Sequence, residues 1–300
     1  MTEFDPAVKK LAAWSIAVAF GVMALKLVAW WLTGSVALLS DGLESTVNVV
    51  AAVVAFAAIS YAQKPADADH QFGHHKAEYF SAVLEGVLIA VAALLIIQQA
   101  IPALRDPQPI EAPGAGLAVN LFASAINAVW AFLLIRTGRA QRSPALVADG
   151  HHIFSDVVTS VGVFVGLVAA LVTGYAILDP LLAIAVAINI LWQGWKVISS
   201  SVNALMDRAV EPADEARLKE IIAANAQGSI DIHDLRTRVA GPATFIDFHM
   251  VVPKTMTVGA AHEICDRLED AIRDFVPGAS IAIHVEPQGE KAHGIRVRLF

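Results

Sequence analysis

The stretch VADGHHIFSDVVTSVGVFVGLVAALV, residues 147–172, decides how the chain is read. It is long enough to cross the hydrocarbon core of a bilayer, which takes about 20 residues in an α-helix. Yet it opens on Asp149, His151, His152 and Asp156. A carboxylate or imidazole at that depth is costly unless paired, so such residues face a bundle interior and mark a pathway. His152 and Asp156 are four apart and share a helix face, offering one nitrogen and one oxygen to a common ion.

Working outward, five more apolar runs of spanning length fall at Leu11–Leu32, Val36–Tyr61, Phe80–Leu104, Gly116–Ile135 and Pro180–Ser200, so the spacing predicts a six-helix transmembrane bundle. Composition agrees. Of 300 residues 56% are hydrophobic and 16% charged, far from a soluble domain of this length. Aromatics make up only 7%, so the apolar excess is aliphatic, which suits helices better than the alternation of a β-barrel. The single Cys265 excludes thiolate clusters, leaving His, Asp and Glu as metal ligands. A net charge of −7 without a basic stripe argues against nucleic acid. Lys9, Lys10, Lys64, Lys76, Arg136, Arg139, Arg142 and Arg208 fall on one side of the spans, which the positive-inside rule makes cytoplasmic. The expectation is a multi-pass protein of the cell's inner membrane with both termini cytoplasmic.

The second predicted span answers the fifth. Asp41, Glu44, Ser45 and Asn48 follow spacings of three, four and seven, one stripe of one helix. Two such stripes in contact would close a four-coordinate N/O site, suited to Zn²⁺ and also to Mn²⁺, Fe²⁺ or Co²⁺. Gly162-x-x-x-Gly166 reads as a close helix contact rather than chemistry.

From residue 209 the composition turns soluble. Ala213–Ala226 and Val258–Phe275 read as amphipathic helices, and Asp234–Val239, Thr244–Val252 and Ser280–Val285 as strands, with a Gly241-Pro242 turn between the first two. The order αββαβ predicts a small α+β domain with its helices on one face of a sheet. The expected division is a membrane domain over residues 1–208, a soluble domain over 209–287 and a loosely ordered tail over 288–300.

These residues resemble the cation diffusion facilitator family of divalent metal/proton antiporters. The likeness rests on Ser40-Asp41, on His70-Gln71-Phe72-Gly73-His74-His75-Lys76-Ala77-Glu78, on His152-Ile153-Phe154-Ser155-Asp156, on Leu205-Met206-Asp207-Arg208 and on His233-Asp234-Leu235-Arg236-Thr237-Arg238, which occur in that order along nearly the whole chain. The resemblance implies a homodimer, a cytoplasmic metallochaperone-like domain, and metal export exchanged for protons. It implies a transport site of Asp41, His152, Asp156 and a fourth position that falls on Ser45, where the family usually has Asp; Glu44 or Asn48 could complete the shell. It implies a loop site of Asp67, His70 and His74, and a cytoplasmic site of His233, His249, His262, His284 and Glu286. Lys76 and Asp207 resemble a charge pair tying the loop to the end of the sixth helix.

The resulting expectation is a secondary transporter exporting divalent transition metal, with zinc the first choice and Fe, Mn, Co or Cd behind it. Its alternatives are a metal-sensing membrane protein and a passive cation channel. No Gly-x-Ser-x-Gly, His-Glu-x-x-His or Walker sequence supports an enzyme.

Overall fold

A computed structural model describes residues 6–33, 36–105, 114–175 and 177–289. Six long helices come first: α1 (Pro6–Thr33), α2 (Val36–Ala62), α3 (Ala77–Arg105), α4 (Gly114–Ala140), α5 (Pro144–Thr173) and α6 (Leu178–Leu205). Then follow α7 (Pro212–Asn225), β1 (Asp231–Ala240), β2 (Ala243–Val252), α8 (Val258–Phe275) and β3 (Ser280–Pro287). The chain separates into two compact units, Asp5–Val202 and the part from Asn203 onward.

Within the first unit, α1, α3, α4 and α6 carry apolar stretches long enough to cross a membrane, Pro6–Val28, Ala77–Pro102, Leu121–Ala140 and Pro180–Leu205. α2 contributes the shorter apolar run Asn48–Ala62 among the described residues. Large apolar side chains such as Trp14, Phe80, Phe122, Phe132 and Trp195 face outward, the placement a lipid solvent favours. Two apolar clusters form inside. One joins α1, α2, α4 and α5 through Ala12, Ile59, Leu134, Leu146 and Ile153. The other joins α3 and α6 through Ile89, Ala93, Ala187 and Ile190.

Small residues allow the close approaches. A Cβ on Gly86 of α3 would stand 2.7 Å from Ile198 Cγ1 and 3.2 Å from the carbonyl oxygen of Gly194 on α6. Gly162 makes the α5–α6 contact expected of it, since a Cβ there would meet Val186 Cγ2 at 2.6 Å; the side-chain surroundings of Gly166 lie outside the described residues. The start of α5 is fixed by Ser143 and Pro144. Pro144 occupies the first helical position, where a missing N–H does no harm. The Ser143 hydroxyl accepts from the Leu146 N–H at 3.4 Å and donates to the Glu78 carboxylate, which also accepts from the Ala145 N–H at 3.4 Å. One buried acid thus anchors the first turn of α5 to the first turn of α3.

In the second unit α7, β1, β2, α8 and β3 realise the αββαβ order. The sheet runs β1-β2-β3, with β1 and β2 antiparallel and β3 parallel to β2. A parallel pair needs a crossover, and α8 supplies it. Thr257 caps α8 by accepting from the Ala260 N–H at 3.2 Å. α8 buries Ala261, Ile264, Cys265, Leu268 and Ile272 against Ile232, Leu235, Ile246, Phe248 and Met250 of the sheet. Ile232 and Leu235 both enter this core although they are an odd number of residues apart. A bulge between His233 and Arg236, with Asp234 at φ 53°, makes that possible. For the same reason β1 begins at Asp231 rather than at the expected Asp234: the bulge interrupts the period-two pattern a strand is read from. The expected tail lies almost wholly outside the described residues.

Candidate metal sites

Polar side chains of α2 and α5 meet inside the first unit. Asn48 of α2 is buried and reaches both candidate ligands of α5. Its amide nitrogen donates to Asp156 Oδ2, and its amide oxygen accepts from His152 Nε2 at 2.9 Å. The carboxylate dictates this orientation, because only the NH₂ end of the amide can donate to it. His152 therefore carries its proton on Nε2, while its buried Nδ1 has no hydrogen-bond partner. Ser45, one turn before Asn48, is also buried, at 1% exposure. Asp41 and Glu44 stand in α2, but their side chains lie outside the described residues. Imidazole, carboxylate and amide side chains thus meet here, the donor types a divalent transition metal takes.

A second cluster lies in the loop between α2 and α3. Ligand atoms of Asp67, His70 and His74 all fall within 4.8 Å of one another. Asp67 is held by its own turn, its Oδ1 accepting from the N–H groups of Asp69 at 3.1 Å and His70 at 2.7 Å. Those backbone donors hold the Asp67 carboxyl below its usual range. Asp67 Oδ2 stands 3.3 Å from His74 Nε2, and the other nitrogen of that ring faces the Lys64 carbonyl at 3.4 Å. That backbone contact orients the imidazole as partners of metal-bound histidines do. His75 next to it is pushed toward its neutral form, first by burial and then by the neighbouring His74.

The third cluster sits on the sheet of the second unit. His233 and His249 face each other across β1 and β2, and His249 pairs in register with His284 of β3. Ring centroids are 5.2 Å apart for His233 and His249 and 4.8 Å for His249 and His284. Glu286 lies 2.9 Å from His249 Nδ1, 3.4 Å from His233 Nε2 and 3.7 Å from His284 Nε2. Nevertheless both ring nitrogens of His233, the Nδ1 of His249 and Oε2 of Glu286 are buried without a hydrogen bond. The atoms converge without lining up N–H to O, as ligands around a shared centre do. His233, His249 and Glu286 meet the distance expected of a common ion, and such a donor set fits zinc. His262 does not join them. It is 73% exposed, lies on α8 beside Asp266 at 3.6 Å, and borders a cavity of about 450 Å³ that Cys265, Ile283 and Glu286 also line.

Asp207, the far member of the expected charge pair, takes a positive φ of 61° and stands 3.4 Å from Arg238 Nη1 within its own unit.

One buried polar group was missed in reading the sequence. Glu85 of α3 and Asp149 of α5 are both fully buried, on helices that pack together. Asp149 accepts from the Ser15 hydroxyl at 2.6 Å, and Ser15 in turn accepts from Trp130 Nε1 at 3.1 Å. Ser81 donates to Glu85 at 3.2 Å. A lone acid inside an apolar helix was the available signal.

Comparison with known proteins covers both units. Residues 12–206 match the cation efflux transmembrane domain, and residues 210–288 match the cation efflux protein cytoplasmic domain. An uncharacterized transporter, sll1263, of Synechocystis is 44% identical over 276 residues, 92% of this chain and 89% of the relative. The cation-efflux pump FieF of Pectobacterium atrosepticum is 33% identical over 283 residues, 94% of each. A solved structure titled as a putative zinc transporter, CzrB, in its zinc form is 39% identical, covering 29% of this chain and 99% of that one, with a TM-score of 0.27. With both domains matched in order and relatives aligned along almost its full length, the chain belongs to the cation diffusion facilitator, or cation efflux, family and is a membrane transporter of metal cations, not an enzyme.

Proposed function

We propose that the protein exports divalent transition-metal cations from the cytoplasm in exchange for protons, with zinc as first substrate and iron, manganese, cobalt or cadmium behind it. The observation that carries this reading is the buried bridge in which Asn48 of α2 holds both His152 and Asp156 of α5. In this reading Asp41, His152 and Asp156 take up the cation, Asn48 and the Ser45 position complete the shell, and Glu44 lies near it. Binding requires a free imidazole lone pair and ionised carboxylates, so cation entry displaces protons. Reprotonation from the far side then drives release. Zinc suits the N/O set, while two neutral oxygen side chains, Ser45 and Asn48, leave the choice open to harder ions.

The protein works as a homodimer in the inner membrane, with both termini cytoplasmic. Its family resemblance and the basic residues of its connections support this. Asp67, His70 and His74 bind metal at the membrane surface. His233, His249, His284 and Glu286, with His262 as a further ligand, hold a resident ion that brings the cytoplasmic domains together. Purified protein in liposomes should take up Zn²⁺ only under a pH gradient, and Asp156→Ala should abolish uptake. Undiminished transport by that variant would refute the assignment. Competition among Zn²⁺, Fe²⁺, Mn²⁺, Co²⁺ and Cd²⁺ in the same assay ranks the substrates.

A further inference from the structure

Glu85 lies eight residues into α3, with no exposed surface. One of its oxygens accepts from Ser81 at 3.2 Å, and the other, Oε2, is buried with no hydrogen-bond partner. On α5, which packs against α3, Asp149 is 1% exposed; its Oδ2 accepts from Ser15 at 2.6 Å and its Oδ1 also has none. Neither acid is paired with a lysine or arginine among the described residues. Other titratable or charged groups on the helices around Glu85 are His151, His152 and Asp156 of α5, Tyr61 of α2, Glu78, Tyr79 and Arg105 of α3 itself, and, on α6, Asp179, whose side chain lies outside the described residues, and Lys196, which lies over the Trp192 ring at 5.2 Å. The side chains of Asp41 and Glu44 of α2 lie outside the described residues.

Two carboxylates buried on packed helices, with no lysine or arginine paired to either among the described residues, cannot both stay ionised. One must hold a proton. The orphaned oxygens are where that proton goes, since a protonated carboxyl is a donor and an ionised one only accepts. Asp149 has the stronger claim to the ionised form, because its short contact from Ser15, itself polarised by Trp130, stabilises a negative charge. Glu85, with one longer hydroxyl contact, is left as the acid.

We propose that Glu85 is a proton-holding residue of the transport cycle, carrying its proton toward Asp149 in one state and releasing it to water in the other. It is separate from the cation ligands: Asp149 precedes His152 by one helical turn, and Glu85 belongs to a helix that supplies no transport-site ligand. The exchanged species is a proton alone, and no bond other than O–H is made or broken. This rests on the antiport reading above and adds one proton to the exchange beyond those displaced from the ligands.

The test uses the full-length protein in liposomes, with Zn²⁺ flux and proton flux recorded together. Glu85→Gln, which keeps shape and removes the ionisable oxygen, should bind Zn²⁺ as the wild type does and move one fewer proton per cation, with a flattened dependence of rate on pH. Glu85→Asp should restore both. Infrared spectra should show a carboxylic-acid C=O band in the resting wild type that disappears in Glu85→Gln, a readout that does not need transport. Unchanged proton stoichiometry or an unchanged band in Glu85→Gln overturns the proposal and leaves the antiport reading standing if Asp156→Ala is inactive. A wild-type protein indifferent to the pH gradient overturns both.

Discussion

Asn48 decides how the candidate transport site is wired. It is neutral, yet it fixes the tautomer of His152 and presents a donor to Asp156 at once. Asn48→Ala removes both contacts and leaves the buried Nε2 of His152 in search of a partner, a cost of about 1–3 kcal/mol. Zn²⁺ uptake should fall roughly 10- to 100-fold, the usual loss when a group orienting a metal ligand is removed. Initial rates in liposomes measure this, and rates within a factor of about two of wild type would show that Asn48 only fills space. His152 and Asp156 drew notice in the sequence because charge in an apolar helix is conspicuous, and the structure brings both to Asn48. The bridging role of Asn48 was not legible there, since an amide has two unlike ends and only their orientation tells which neighbour each serves. Glu85 stood in equally apolar surroundings but had no neighbour in the sequence to suggest a partner. Asp149 approaches it only once α3 and α5 pack.

At the scale of elements, periodicity foretold six long helices and the αββαβ order, with α8 bounded as observed. Helix periodicity survives because burial of one stripe repeats over many turns. The start of β1 was hidden by the bulge at Asp234, where one extra residue breaks the alternation. The α3–α6 pair depends on a feature no periodicity reveals, the facing glycines Gly86 and Gly194. In Gly86→Ala the new methyl would lie 2.7 Å from Ile198 Cγ1 and 3.2 Å from backbone oxygen, so the helices must part. A loss of about 1–3 kcal/mol of stability is expected from such overpacking. Thermal unfolding in detergent followed by size-exclusion chromatography checks it, and an unchanged midpoint would show that α6 can shift without strain.

The whole chain divides into two units with different solvents. The membrane unit buries polar residues such as Asn48, Glu85, Asp149 and His152 among its helices, whereas the second unit has an ordinary core of Ile222, Ile232, Phe248, Met250 and Leu268 and carries His233, His249 and His284 on the sheet. A metal bound as proposed by His233, His249 and Glu286 would bind the folded state alone and so add stability by mass action, about 2.7 kcal/mol at a hundredfold excess over Kd. Zn²⁺ should therefore raise the unfolding temperature of the cytoplasmic domain, chelation should reverse the rise, and His249→Ala should abolish it without disturbing the core. An equal rise in His249→Ala would place the stabilising ion elsewhere.

The two apolar clusters of the membrane unit carry a mechanical consequence. α1, α2, α4 and α5 cohere through one and α3 with α6 through the other, and Glu85 and Asp149 stand on opposite sides of the seam between them. On the proposal above, a proton gained or lost at Glu85 acts at the joint between two rigid groups of helices, so one added charge is felt by whole helices rather than by a single side chain.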